Sequence, residues 1–298
     1  MTVLTDTTAA REVAAEGRGG GDALPPEGPG RRRHPRRRLV LGAVALVIAA
    51  GVGVFAYLWT HSGAHQESLS TAITRFHQGQ GQETEGGPAA GVYLYRGTGT
   101  ESISVPPKSQ NEGPGIPGTI RGRPGGCFEF RMDFSTAHWQ SSTYCTRDGA
   151  LVNRSRGGYY KWDFVAFSVD DSSTITCTPA VVTIPSQIRR GQRTTVSCTT
   201  ANDHISIGPV HMRGISTVIG VSTLRVGRSM VPAVEIREHV AFSGGQHGTN
   251  DSDTWFSIAT GMPLRGTWST NVSTPSVVGT TTLNASGTYT LTSLTPQR

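Results

Sequence analysis

The sequence predicts a mainly β protein: a curved antiparallel sheet with one N-terminal helix, preceded by a single transmembrane helix. Three observations carry that expectation. One uncharged apolar run, 39–59, stands alone near the N-terminus. Beyond residue 91 the apolar positions recur with period 2, the spacing of strands. Finally, 38 Gly and 17 Pro punctuate 298 residues of which only 16% are charged, which excludes a coiled coil or a charge-rich helical array.

Residues 1–38 are Ala, Gly, Pro, Glu and Arg with almost no large apolar side chains. Such a segment cannot bury enough surface to offset its ordering entropy, so a disordered cytoplasmic tail is expected. Its Gly19-Gly20-Gly21 lacks the Gly-Lys-Ser/Thr of a phosphate loop. The run LVLGAVALVIAAGVGVFAYLW, 39–59, is long enough at 1.5 Å per residue to cross roughly 30 Å of hydrocarbon. RRRHPRRR, 31–38, precedes it, and the next basic side chain beyond it is Arg75. The positive-inside rule then places the N-terminus in the cytoplasm and residues 60–298 outside the cell membrane. A cleaved signal peptide is the competing reading, but its charged and apolar regions would both be too long.

Net charge is +6, half of it in the tail, with eight Arg against five acids in 1–38. The remainder has no long basic run, so no nucleic-acid partner is expected. Only Lys108 and Lys161 are lysines among 27 basic residues. That bias points to a high-GC coding genome of the actinobacterial kind.

Residues 60–90 form a juxtamembrane segment. Within 66–78, Leu69, Ala72, Ile73 and Phe76 fall at i, i+3, i+4 and i+7, one face of a short helix that must pack on something to persist. Residues 91–298 are the extracytoplasmic β domain. Its strand-like segments include GVYLYRG, CFEFRMDF, YYKWDFVAFSV and VPAVEIREHVAFSG. The Pro/Gly-rich stretch 106–126 reads as a long loop. In 127–134 the alternation is clearest: Phe128, Phe130, Met132 and Phe134 face inward, and Cys127, Glu129, Arg131 and Asp133 face solvent. The inward set is the candidate apolar ligand face.

Cys127, Cys145, Cys177 and Cys198 allow three disulfide pairings. A hairpin turning at 135–137 pairs residues whose numbers sum to 272, which sets Cys127 opposite Cys145. Cys177 and Cys198 flank a second plausible hairpin, within an insert near 170–212. The expected bonds are 127–145 and 177–198. A zinc site wants closely spaced Cys pairs, which are missing.

Little else carries chemistry. There is no G-x-S-x-G elbow and no H-E-x-x-H, and neither a cofactor nor a catalytic residue is expected. The nine histidines are scattered and read as surface or hairpin positions; His204 and His211 would face opposite ways. Asp170-Asp171 reads as a solvated turn. Glu238 interrupts an otherwise apolar face, Val234, Ile236, Val240 and Phe242, so it needs a partner or opens onto a cavity. It is the one candidate polar ligand contact.

The segment DTWFSIATGMPLRGTWSTNV, 253–272, resembles the W-x-D-x-x-T-G-L-P-L/V-R hairpin of the LolA-like superfamily of extracytoplasmic proteins, which includes lipoprotein carriers and envelope stress regulators. Trp255, Thr260, Gly261, Pro263, Leu264 and Arg265 match; Ser257 replaces Asp and Met262 replaces Leu. Gly261 would supply a positive φ in a short loop, and Pro263 would mark an edge or bulge. The resemblance implies an open half-barrel around an apolar cavity, and binding of a lipid, a lipoprotein or a regulatory partner rather than catalysis. The sequence thus predicts a membrane-anchored, non-catalytic binding protein of a bacterial envelope. The alternative is an envelope regulator or protein-interaction module with a filled core.

Overall fold

The computed structural model describes residues 63–298 apart from 80–82, 85, 165–166, 203–207 and 277–278, together with Ile48 and residues 50–53. The tail 1–38 and most of the 39–59 span therefore lie outside the described residues, as does His204. Ile48 and residues 50–53 are helical. Among the described residues no helix is long and apolar enough to cross a membrane.

The helix α1 spans Leu69–Gln78, close to the expected place. Ser68 caps it, its hydroxyl accepting from the Thr71 amide at 3.0 Å, which satisfies one of the free first-turn donors. Ala72 and Phe76 are buried against Ala90 and Val92. At the other end the Arg121 guanidinium donates to the Arg75 carbonyl at 2.8 Å.

Thirteen strands follow: β1 (Gly91–Ser104), β2 (Pro107–Glu112), β3 (Gly115–Arg123), β4 (Cys127–Ser135), β5 (His138–Arg147), β6 (Ala150–Asp163), β7 (Ser168–Ile184), β8 (Arg193–Asn202), β9 (Val210–Val226), β10 (Ser229–Gly244), β11 (His247–Ser257), β12 (Pro263–Ser276) and β13 (Gly279–Leu291). All pairings are antiparallel. β1 and β3 through β13 form a ring of 12 strands, closed where β1 meets β13 from Tyr95↔Leu291 to Ile103↔Leu283. The expected open half-barrel is thus a closed barrel. Closure pairs the two end strands of the ring with each other, so the ring itself has no open edge.

β2 shares an edge of β1 with β3: residues 91–96 of β1 pair with β3, and 99–104 with β2. The stretch 106–126, expected to be a loop, is therefore largely strand. Pro114 falls at the break between β2 and β3, where no ladder donor is needed; Pro107 and Pro117 sit within β2 and β3, opposite Ser104 and Leu94 of β1. Gly113 has φ +82°, and a Cβ there would lie 2.1 Å from the Gly97 carbonyl oxygen, so only glycine fits.

The disulfide-bearing segment near 170–212 supplies β7, β8 and the start of β9 in line with the rest of the ring. Asp170 and Asp171 sit within β7 opposite Lys161 and Tyr160, not in a turn. The resembled hairpin is β11–β12. Gly261 has φ +71°, and the register shifts where Phe256 meets Pro263, as a bulge at that proline requires.

The β4–β5 register follows the sum of 272 from Cys127↔Cys145 to Asp133↔Trp139, then slips by one at Ser135↔His138. Both expected disulfides form, 127–145 and 177–198. The first packs with Val152 on the outer face; the second packs with Val196, Met212 and Val240. Cys127→Ser is expected to cost about 2–5 kcal/mol, the usual loss for a native disulfide in a secreted domain. Urea unfolding under oxidising conditions measures it, with the oxidised wild type as reference.

Phe128, Phe130, Met132 and Phe134 all face inward and belong to the main core, with Tyr95, Tyr144, Phe256, Leu264 and Leu291. On the opposite face Asp133 is 1% exposed rather than solvated. Arg75 of α1 reaches it at 3.1 Å and Arg131 at 2.7 Å. The helix is therefore held to the barrel wall by an ion pair as well as by its apolar stripe.

Candidate functional site

The alternation that buries one face of each strand aims those side chains into the barrel lumen. They do not fill it. A cavity of about 320 Å³ remains, at the lower end of the roughly 300–1,000 Å³ typical of ligand pockets. Phe130, Met132, Phe134, Trp268 and Tyr289 give it an apolar wall, while Ser142, Asn153, Asn250, Ser252, Thr254 and Thr270 give it hydroxyls and amides. Of the expected ligand face, Phe130, Met132 and Phe134 line the cavity; Phe128 lies in the solid core beside Tyr144, ring centroids 5.4 Å apart.

Glu238 also lines the cavity and has the partner its position demands. Arg156 of β6 donates through Nη1 and Nη2 to the two Glu238 carboxylate oxygens, at 2.5 and 2.7 Å. The forked, charge-assisted geometry is the strong form of this contact. Burial works to lower the Arg156 pKa, but the Glu238 carboxylate outweighs it and raises it, so the guanidinium keeps its charge. Its side chains retain 23% and 11% exposure, which leaves a charged, bidentate group presented to the lumen.

A second constellation lies behind Phe134 and Tyr160. His138, at the start of β5, is fully buried and stacks between those two rings, with centroids 4.7 and 4.1 Å away. Its Nδ1 contacts the carboxylates of Glu112 and Glu101, the latter at 2.5 Å. Gln110 donates to the other Glu101 oxygen at 2.7 Å. On the lumen side, the Gln140 amide nitrogen lies 3.1 Å from His138 Nε2 and 3.1 Å from the Tyr160 hydroxyl.

Burial works against the charged imidazole of His138, yet the Glu101 and Glu112 carboxylates raise it to about 9. Burial would also raise Glu101, but His138 holds it below the usual carboxylate range. Glu112 is pushed up to about 7, by burial first and by Glu101 as well. Glu101, Glu112 and His138 each offer one donor atom, all within 4.8 Å of one another, and are the cluster among the described residues that could hold a metal ion.

The sequence reading missed this cluster. It treated the histidines as surface positions, and it placed Glu112 in a loop. The signal it left was the alternation Lys108, Gln110, Glu112 in an otherwise breaker-rich stretch. An alternation of polar residues looks the same whether it faces water or a buried partner. No family model, curated protein or solved structure matches the chain.

Proposed function

We propose that the protein is an extracytoplasmic binding protein, tethered by the 39–59 span, that holds a small amphiphile inside its barrel. The observation that carries this reading is the lumen: an unfilled space lined both by aromatic rings and by the Arg156–Glu238 fork. A filled-core interaction module would have no use for either. About 320 Å³ accommodates a compact single-chain molecule, not a diacyl lipid. Its chain would lie against Phe130, Met132 and Phe134, and its polar group would exchange hydrogen bonds with the fork and the surrounding hydroxyls. Anchorage rests on the apolar span and on the arginine run that orients it. No reaction is assigned, because the polar lumen groups form a static ion pair rather than a nucleophile with its base.

The test uses Trp268, which lines the lumen, as reporter. The full chain in nanodiscs is titrated with decanoate and with decyl glucoside, and tryptophan emission is followed. One of the two is expected to give a saturable, one-to-one change. Phe130→Ala should weaken that binding by about tenfold, because roughly 1.4 kcal/mol of apolar contact is a modest share of what a buried Phe side chain contributes. No saturable change with either probe would overturn the reading.

A further inference from the structure

We propose that Glu101, Glu112 and His138 form a divalent-cation site, best matched to zinc, that clasps the β1–β2 arm onto the β5–β6 wall. The topology creates the need for a clasp. β2 hydrogen-bonds within the sheet to β1 and, among the described residues, to no other strand. Its far side meets the start of β5 and the end of β6 through side chains: Glu112 to His138, and Lys108 to the Asp163 carbonyl.

Charge and hydrogen-bond accounting point to a cation there. Glu101, Glu112 and His138 are 1%, 4% and 0% exposed. His138 Nδ1 can carry one hydrogen, and both Glu112 Oε1 and Glu101 Oε1 lie against it. Glu101 Oε1 and Glu112 Oε2 then remain buried without a hydrogen-bond donor, although Glu101 Oε1 lies 2.5 Å from Nδ1. With both carboxyls ionised and the imidazole protonated the site sums to −1 in dry surroundings, a costly arrangement that either a proton held on Glu112 or a bound cation relieves. Two carboxylates, a neutral imidazole and a divalent cation sum to zero, and every acceptor oxygen then faces positive charge.

The donor set suits zinc, which takes imidazole nitrogen and carboxylate oxygen at about 2.0–2.2 Å. Three donor atoms within 4.8 Å of one another can share one such ion when it takes the place of the shared proton and spreads the 2.5 Å Nδ1–Oε1 contact to ligand spacing. Glu112, binding through both oxygens, completes four-coordination, and complete burial marks the site as structural rather than catalytic. The outer contacts are in place: Gln110 fixes Glu101, and Gln140 sits at His138 Nε2. Exchanging the nitrogen and oxygen of the Gln140 amide, an assignment made from hydrogen bonding alone, gives Nε2–H the acceptor that a metal-bound histidine needs. Glycine at 99 belongs to the same design, since a Cβ there would collide with the Glu112 carboxylate.

The experiment strips the full chain with EDTA, removes the chelator, and titrates it with Zn²⁺ by calorimetry at pH 6 and pH 7.5. One Zn²⁺ per chain is expected, bound more tightly at pH 7.5, because ligation displaces protons, and with a raised unfolding midpoint. Glu112→Gln keeps the shape while removing charge, so it should fold, as checked by circular dichroism, and bind Zn²⁺ at least tenfold more weakly. Gln110→Leu should weaken binding by about tenfold through loss of the outer contact. Absence of a one-to-one Zn²⁺ isotherm in the folded wild type overturns the proposal. So does a folded Glu112→Gln protein that binds with wild-type affinity, since the ion would then sit elsewhere.

Discussion

Glu238→Ala is expected to destabilise the protein by about 3–5 kcal/mol, the cost of leaving a mostly buried charge without its partner. The substitution strands the Arg156 guanidinium, whose other contact is the weak 3.4 Å bond from Nε to Asn153. The single variant alone does not separate loss of attraction from the penalty of the orphaned charge. The pair Arg156→Met with Glu238→Leu does. Replacing both ions with apolar groups of similar volume is often neutral for stability, so the double variant should recover most of the loss. Chemical denaturation followed by circular dichroism measures all three proteins. A single-variant loss under about 1 kcal/mol would place the fork in bulk-like water and remove the distinctive polar feature of the lumen.

His138→Phe is expected to cost a similar 3–5 kcal/mol at pH 8, measured with chelator present. Phe keeps the stacking with Phe134 and Tyr160, so the loss reports charge and not shape. The same residues set the pH dependence of the metal-free wild type. His138 has a folded pKa of about 9, above its ordinary 6.5, so its contribution is complete below 6.5 and is lost as pH rises to 9. Glu112, raised from 4.5 to about 7, likewise contributes fully below 4.5 and loses that contribution by pH 7. Glu101 is shifted the other way, and its contribution disappears only in acid. Stability should therefore decline from pH 4.5 to pH 9. In His138→Phe the penalty should shrink toward pH 4.5, where the two facing carboxyls take up protons. A penalty independent of pH would show that the imidazole matters only for packing.

The parts of this fold that were legible in the sequence are those written in local spacing. The alternation of Phe128, Phe130, Met132 and Phe134 named an inward face, and a turn near 135–137 was enough to align Cys127 with Cys145. The period of Leu69, Ala72, Ile73 and Phe76 located α1. Closure of the barrel was not legible, because it joins β1 to β13 across nearly the whole domain and no short motif encodes that pairing. The β2–β3 region was misread because its prolines and glycines mark a break inside a strand as readily as a loop. Glu238 could be singled out as an acid on an apolar face, whereas Arg156, 82 residues away, could not be named as its partner. His138 gave no signal at all. A histidine is identified as buried only by its neighbours, and these come from β1, β2, β4 and β6.

The central claim is that the lumen is occupied in the working protein, and native mass spectrometry of the full chain isolated from its native cells tests it most directly. The account predicts a discrete added mass of one small amphiphile per chain, released on unfolding and lost when Ser252, on the lumen wall, is replaced by Trp. A spectrum showing only the bare chain, with or without its metal, in a protein that is folded and never organic-extracted, would contradict it.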